Sequence, residues 1–203
     1  MKTGYFITGT DTEIGKTLIT CAMLHALGRR GVRAAGMKPV AAGAESREGV
    51  WHNDEVDRIA AAMEGADIDG AHILDCYRQV CGRADAVVVE GVGGFRVPLS
   101  TGFDTADLAR ELGLPVVLVV GLRLGCINHA LLAAEAIAAR GLKLAGWVAN
   151  SVTLGMAHGA ANVEALAARL NAPLLGYVPR FDEPSAELAA AHLDFSQLPD
   201  WPA

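Results

Sequence analysis

Nine residues, Gly9-Thr10-Asp11-Thr12-Glu13-Ile14-Gly15-Lys16-Thr17, hold the densest chemistry in the chain. A standard phosphate-binding loop is Gly, four residues, then Gly-Lys-Ser/Thr. Counting back from Gly15 puts Thr10 where the first glycine belongs, with Gly9 one residue earlier. A strict pattern misses the match, yet the physical requirements are met. Gly15 lets backbone approach a ligand closely, and the following helix start offers unpaired N–H groups to phosphate. Lys16 can reach β- and γ-phosphates, and Thr17 can offer a hydroxyl to Mg²⁺.

Three further places can join that loop. Gly36-Met37-Lys38-Pro39-Val40 ends a second apolar stretch, and Lys38 there can face the same crevice as Lys16. Asp54 stands at an expected helix start, where it can cap the helix, bind metal, or do both. Ala86-Val87-Val88-Val89-Glu90 is an apolar run ending in a carboxylate, the arrangement that holds Mg²⁺ beside a phosphate loop. Gly91, Gly93 and Gly94 follow it, suiting close backbone approach. Thr17, Asp54 and Glu90 together would give three hard oxygen ligands.

A second glycine turn, Gly121-Leu122-Arg123-Leu124-Gly125-Cys126-Ile127-Asn128-His129, also feeds a helix. It has no lysine, so it suits a carboxylate better than a triphosphate. Helix capping by Asn128 is an equally good explanation of that stretch. Cys126 reads as a small packed residue and His129 as a helix-surface or interface residue.

The elements that must position these residues alternate between strand and helix. Strands are expected at Lys2–Thr8, Val32–Val40, Ala86–Val89, Pro115–Val120, Leu144–Ala149 and Leu174–Val178. Helices are expected at Lys16–Arg29, Asp54–Met63, Asp69–Val80, Thr105–Leu112, Ile127–Arg140 and Gly159–Leu170. Continuous apolar strands separated by helices imply an α/β fold, a doubly wound parallel sheet covered on both faces. In such sheets ligands sit at the carboxyl ends of strands. The candidate residues all follow strands.

Composition narrows the partners. The 203 residues suit one domain, here taken as residues 1–203, and 52% hydrophobic residues can fill a sizeable core. A net charge of −6, from 17 Lys+Arg against 23 Asp+Glu, argues against nucleic-acid binding. No apolar run approaches the ~18–20 residues of a membrane span. No signal-peptide pattern follows Met1, and Cys21, Cys76, Cys81 and Cys126 form no Cys-x-x-Cys pair. A cytoplasmic protein with reduced thiols is expected.

Five stretches together resemble the dethiobiotin synthetases, a deviant P-loop family of biotin biosynthesis. They are GTDTEIGKT (Gly9–Thr17), GMKPVAAG (Gly36–Gly43), VVVEGVGGFRVPLS (Val87–Ser100), LPVVLVVGLRLGCINHALLAAEAI (Leu114–Ile137) and LAGWVANSV (Leu144–Val152), with a weaker PLLGYVP (Pro173–Pro179). The resemblance implies a P-loop-type α/β fold and a ligase that makes dethiobiotin from 7,8-diaminononanoate, CO₂ and ATP with Mg²⁺. A carbamate forms first, takes the γ-phosphoryl, and is closed by the neighbouring amine. Lys16 and Lys38 would be catalytic. Nucleotide contacts would come from Thr12, Glu13, Ile14, Gly15, Lys16, Thr17, Glu90 and Gly93, with Asn150 and Pro179 at the adenine. Thr12, Lys38 and Ala42 would lie against the diamine. Gly125, Cys126, Ile127 and Asn128 of a neighbouring subunit would take the substrate carboxylate, which implies a homodimer.

Two departures from the family pattern stand out. The family usually has Ser or Thr where Ala42 stands. It also usually carries a longer stretch between Asp54 and the Glu90 strand, with an aromatic and a Pro-x-Pro-His motif, whereas here Glu64–Asp69 leads directly into a helix. Losing a substrate wall weakens or widens diamine recognition more than ATP binding. A relative with an altered diamine substrate is therefore one alternative. A deviant P-loop nucleotide switch is the other, although Thr10–Glu13 offers no early lysine of the kind such switches use.

Overall fold

A computed structural model describes residues 3–41, 45–47, 50–52, 68–153, 156 and 158–203. The elements run β1 (Thr3–Gly9), α1 (Lys16–Arg29), β2 (Ala34–Met37), β3 (Glu45–Arg47), β4 (Val50–His52), α2 (Gly70–Arg83), β5 (Ala86–Glu90), β6 (Pro98–Ser100), β7 (Phe103–Asp104), α3 (Thr105–Leu112), β8 (Val116–Leu122), α4 (Cys126–Ala139), β9 (Leu144–Ser151), α5 (Gly159–Ala167), β10 (Leu174–Val178) and α6 (Ala186–Ala190). A 3₁₀ turn, Phe195–Gln197, follows. The expected helix Asp54–Met63, the residues Ala42 and Asp54, and most of Glu64–Asp69 lie outside the described residues.

Six strands form one parallel sheet in the order β10-β9-β8-β1-β5-β2. The continuous apolar runs explain this, because a strand in such a sheet is buried on both faces. Alternate residues serve opposite layers. Tyr5, Ile7, Val88, Val117 and Val119 pack against Ile19, Met23 and Leu27 of α1. Phe6, Val87, Val89 and Val116 pack against Ile73 of α2, Leu108 of α3 and Ile137 of α4. Leu118, Val120 and Trp147 pack against Cys126 and Ala130 of α4 and Leu166 of α5. The expected doubly wound α/β sheet is therefore present.

Element ends depart from expectation for identifiable reasons. β2 covers Ala34–Met37 rather than Val32–Val40; its ladder with β5 ends at Met37↔Val89, and Pro39 has no N–H with which to extend it. β8 runs on to Leu122 because β9 stays beside it as far as Ser151. The hairpins β3–β4 and β6–β7, of two- and three-residue strands, are too short for a periodic signal. Asp69 lies just outside α2 and caps it, its carboxylate accepting from the N–H groups of Ala71 and His72. Asn128 does not cap α4. Gly125 stands at the cap in the left-handed region, φ 91°, with no side-chain bond.

The segment around Pro199 and Trp201 braces the α1 layer of the sheet. The Tyr5 hydroxyl donates to the Pro199 carbonyl at 2.7 Å, and the Trp201 ring lies 4.9 Å from Phe195 and 5.9 Å from Tyr5. Burial, reinforced by Asp200, pushes the Tyr5 phenol well above its ordinary range, so it stays a donor.

Candidate active site

The carboxyl ends of β1, β2 and β5 are adjacent in the sheet, and a cleft of about 330 Å³ opens above them. The loop after β1 forms its floor. Gly15 precedes α1 at φ 90°, where a Cβ is strained and would also collide with the Asn150 amide. Glu13 is likewise left-handed, φ 57°. This sharp double turn starts α1 at Lys16, so the helix's unpaired N–H groups lie at the cleft.

The loop is braced from below. The Ile14 side chain is fully buried in the α1-side core, and its carbonyl accepts the Asn150 Nδ2 at 2.8 Å. The Gly121 N–H donates to Thr10 Oγ1 at 3.3 Å. The Asp11 carboxylate accepts the Thr12 N–H at 2.8 Å and an ion pair from Arg123. Thus β8 and β9 hold the loop that β1 presents.

The charged groups converge above this floor. Lys16 is 7% exposed, and its Nζ donates to the Asp11 carbonyl at 2.7 Å. That bond folds the lysine back along the loop, where arriving phosphate oxygens can replace the carbonyl. Thr17 Oγ1 donates to Glu90 Oε1 at 2.7 Å. Lys38 Nζ lies 3.2 Å from the same oxygen. Glu90, 3% exposed, ends β5 as expected. A buried carboxylate beside a hydroxyl is a hard oxygen pair that fits Mg²⁺. Among the described residues no group of three or more His, Cys, Asp and Glu side chains gathers as a metal site, in the cleft or outside it.

Of the expected site residues, Thr12, Glu13, Gly15, Lys16, Thr17, Lys38, Glu90 and Gly93 line this cleft. Ile14 takes part through its backbone only. Asn150, the last residue but one of β9, and Pro179, directly after β10, lie outside the cleft lining, and Asn150 is engaged with the loop rather than exposed. Gly125–Asn128 lie at the start of α4, also outside it. Gly91, which the sequence marks for close backbone approach, also lines the cleft, beside Val92, an apolar residue that a search for polar groups passes over. Asp11 and Arg123 have no local signal. Their pairing joins segments 112 residues apart.

The family profile described as "AAA domain" matches residues 3–57 and 51–187. An ATP-dependent dethiobiotin synthetase BioD from Janthinobacterium sp. (strain Marseille) is 59% identical, over 97% of this chain and 96% of that protein. The protein of the same name from Aromatoleum aromaticum is 55% identical, over 86% and 89%. The chain belongs to the dethiobiotin synthetases. Among solved structures, the septum site-determining protein MinD complexed with Mg-ADP from Pyrococcus horikoshii is similar, with a TM-score of 0.62 and 16% identity over 96% of this chain and 87% of that one. The signal recognition particle receptor FtsY from Elizabethkingia anophelis has a TM-score of 0.60 and 15% identity, over 93% and 63%. At such identities the likeness shows a shared P-loop fold, while identities of 55–59% set this chain among the dethiobiotin synthetases rather than the nucleotide switches.

Proposed function

We infer that this chain is an ATP-dependent ligase of biotin biosynthesis, closing the ring of dethiobiotin from 7,8-diaminononanoate and CO₂. The observation that carries the reading is the convergence of Lys16, Lys38, Thr17 and Glu90 on one cleft. Phosphoryl transfer onto a carbamate brings two anions together, and it needs fixed positive charge and positioning more than covalent catalysis. Lys16 leaves the Asp11 carbonyl for the β- and γ-phosphates. Lys38 approaches the transferring phosphoryl from β2. The helix start of α1 adds its N–H groups. The neighbouring amine then displaces phosphate and closes the cyclic urea.

Thr17 and Glu90 would hold Mg²⁺, with Asp54 as a third ligand, and the ion would neutralise phosphate charge. Thr12, Lys38 and Ala42 would face the diamine, and Asn150 and Pro179 the adenine. The carboxylate of a nine-carbon substrate lies far from its amines and needs a separate receptor. Gly125–Asn128 of a second copy fills that role, which makes the enzyme a homodimer. Two observations support this. Leu124, beside that turn, is 98% exposed, and Leu132, two turns along α4, is 56% exposed; such side chains suit a protein interface. No helix among the described residues is long and apolar enough to cross a membrane, and work in the cytoplasm, where ATP is at hand, is part of the proposal.

The test is a product assay. The protein is incubated with ATP, Mg²⁺, bicarbonate and 7,8-diaminononanoate, and the products are weighed by mass spectrometry. Dethiobiotin formed together with ADP is the expected result. ATP hydrolysis without cyclic urea would reject this substrate in favour of an altered one, the outcome to which Ala42 and the short Glu64–Asp69 stretch point.

A further inference from the structure

We propose that Thr105 is the positioning residue that sets the Gly91–Gly94 wall of the nucleotide cleft; the proposal rests on reading that cleft as the ATP site. Gly91, Val92 and Gly93 line the cleft, yet glycines have no side chain with which to hold a wall in place. The wall lies close over the phosphate loop. A Cβ at Gly94 would sit 3.8 Å from the Gly9 carbonyl oxygen, and one at Gly93 would sit 3.6 Å from Thr12 Oγ1. Its height is therefore decided by its two ends.

One end is the sheet itself: the Gly91 N–H donates to the Ile7 carbonyl at 2.8 Å. The other end is Thr105, the first residue of α3, 2% exposed. Its hydroxyl donates to the Phe95 carbonyl at 2.6 Å and accepts the Val97 N–H at 3.0 Å. Its own N–H donates to the Val97 carbonyl at 2.9 Å. A hydroxyl is both donor and acceptor, and this one is used in both senses. The Phe95 ring is buried in the core beneath α2 and α3, which fixes depth. The hydroxyl fixes the orientation of the peptides on either side.

The anchor is itself held firmly. Asp104 caps α3, with Asp107 returning the bond to the Asp104 N–H, and the Asp104 carboxylate also takes Arg96 and Arg140. Removing the hydroxyl leaves the buried Phe95 carbonyl and the half-buried Val97 N–H without their partner. They recover one only if the segment moves.

The experiment compares Thr105→Val, which keeps shape and loses the hydroxyl, with Thr105→Ser, which keeps the hydroxyl. Affinity for a non-hydrolysable ATP analogue with Mg²⁺ is read by calorimetry, alongside KM for ATP, kcat and melting temperature. Thr105→Val should weaken the analogue and raise KM for ATP by about five- to twentyfold, and Thr105→Ser should restore both to within about twofold. Should Thr105→Val not fold, Thr105→Cys replaces it, because a thiol is a weak donor and acceptor; a clear loss of affinity is again expected. A lowered melting temperature with wild-type affinity and KM would overturn the proposal and leave Thr105 a merely structural residue. A wild-type protein that does not bind the analogue would overturn the ATP-site reading and this proposal with it.

Discussion

The turns before α1 and α4 are nearly the same piece of backbone put to different uses. Each leaves a buried strand, passes through a left-handed glycine, Gly15 at φ 90° or Gly125 at φ 91°, and opens a 14-residue helix with no side-chain cap. Each helix start carries roughly half a positive charge. Beyond that they diverge. Lys16 follows Gly15 and lies buried in a cleft with Lys38 and Glu90. Cys126 follows Gly125 and is packed into the core, while Leu124 beside it stands in solvent. A helix N-terminus sets the sign of the ligand. Neighbouring side chains set how much charge it can hold, and surrounding walls set whether one chain is enough. In our reading the first turn completes a triphosphate site by itself, and the second waits for another copy of the chain.

The largest expected effect falls on the first turn. Lys16→Ala should lower turnover by about 10²–10³-fold, the scale of losing a fixed donor aimed at transition-state charge. The fold should survive, with circular dichroism unchanged. Near-normal turnover would remove Lys16 from the mechanism. Gly125→Asp should act differently. A negative charge at the second turn should raise KM for the diamine by about ten- to a hundredfold and leave ATP-analogue affinity within about twofold. Equal losses for both ligands would erase the proposed division of labour. Glu90→Gln comes next, with the Mg²⁺ concentration for half-maximal rate rising about tenfold; an unchanged requirement would place the ion elsewhere.

Two smaller effects concern the supports. Asn150→Ala leaves the Ile14 carbonyl without its buried donor, which should cost about 1–3 kcal/mol in denaturant unfolding. Gly125 is packed less closely: among the described residues an added Cβ there would meet His129 at 3.9 Å, whereas one at Gly15 would collide with the Asn150 amide. Asp107 gives the mildest effect. The Asp104 N–H, aided by Arg140, holds its carboxyl below the ordinary 3.8. A lowered folded value adds stability that is fully present above that ordinary value and fades as pH falls through the folded one. The stability gap between wild type and Asp107→Asn should therefore be constant near neutrality and close in acid below about pH 4. A gap that widens on acidification would contradict the assignment.

Much of this was legible in the sequence. Unbroken apolar runs such as Val87–Val89 fixed on a parallel sheet, and Thr105–Leu112 and Leu174–Val178 appear with the expected bounds. Gly15-Lys16-Thr17 after a strand marked the cleft, and Glu90 ending an apolar run marked its far wall. The supports were not legible. Asn150 on Ile14, Arg123 on Asp11 and Thr105 on Phe95 and Val97 depend on which strands lie side by side. That order is a property of the whole sheet, which local periodicity does not carry. Asn128 has a residue type that suits a cap, but the left-handed Gly125 has already turned the chain.

A shared active site requires that the two turns of one site belong to different chains. Lys16→Ala protein is mixed with Gly125→Asp protein under conditions where subunit exchange is verified by mass, and dethiobiotin formation is measured at diamine well below the wild-type KM, where each variant alone is nearly inactive. In a heterodimer one site receives both defects and the other receives none. The mixture should recover roughly a quarter of wild-type activity at equal amounts, since half the dimers are mixed and each has one intact site. A mixture that stays inactive despite exchange, or an active enzyme that is monomeric, would contradict the shared site.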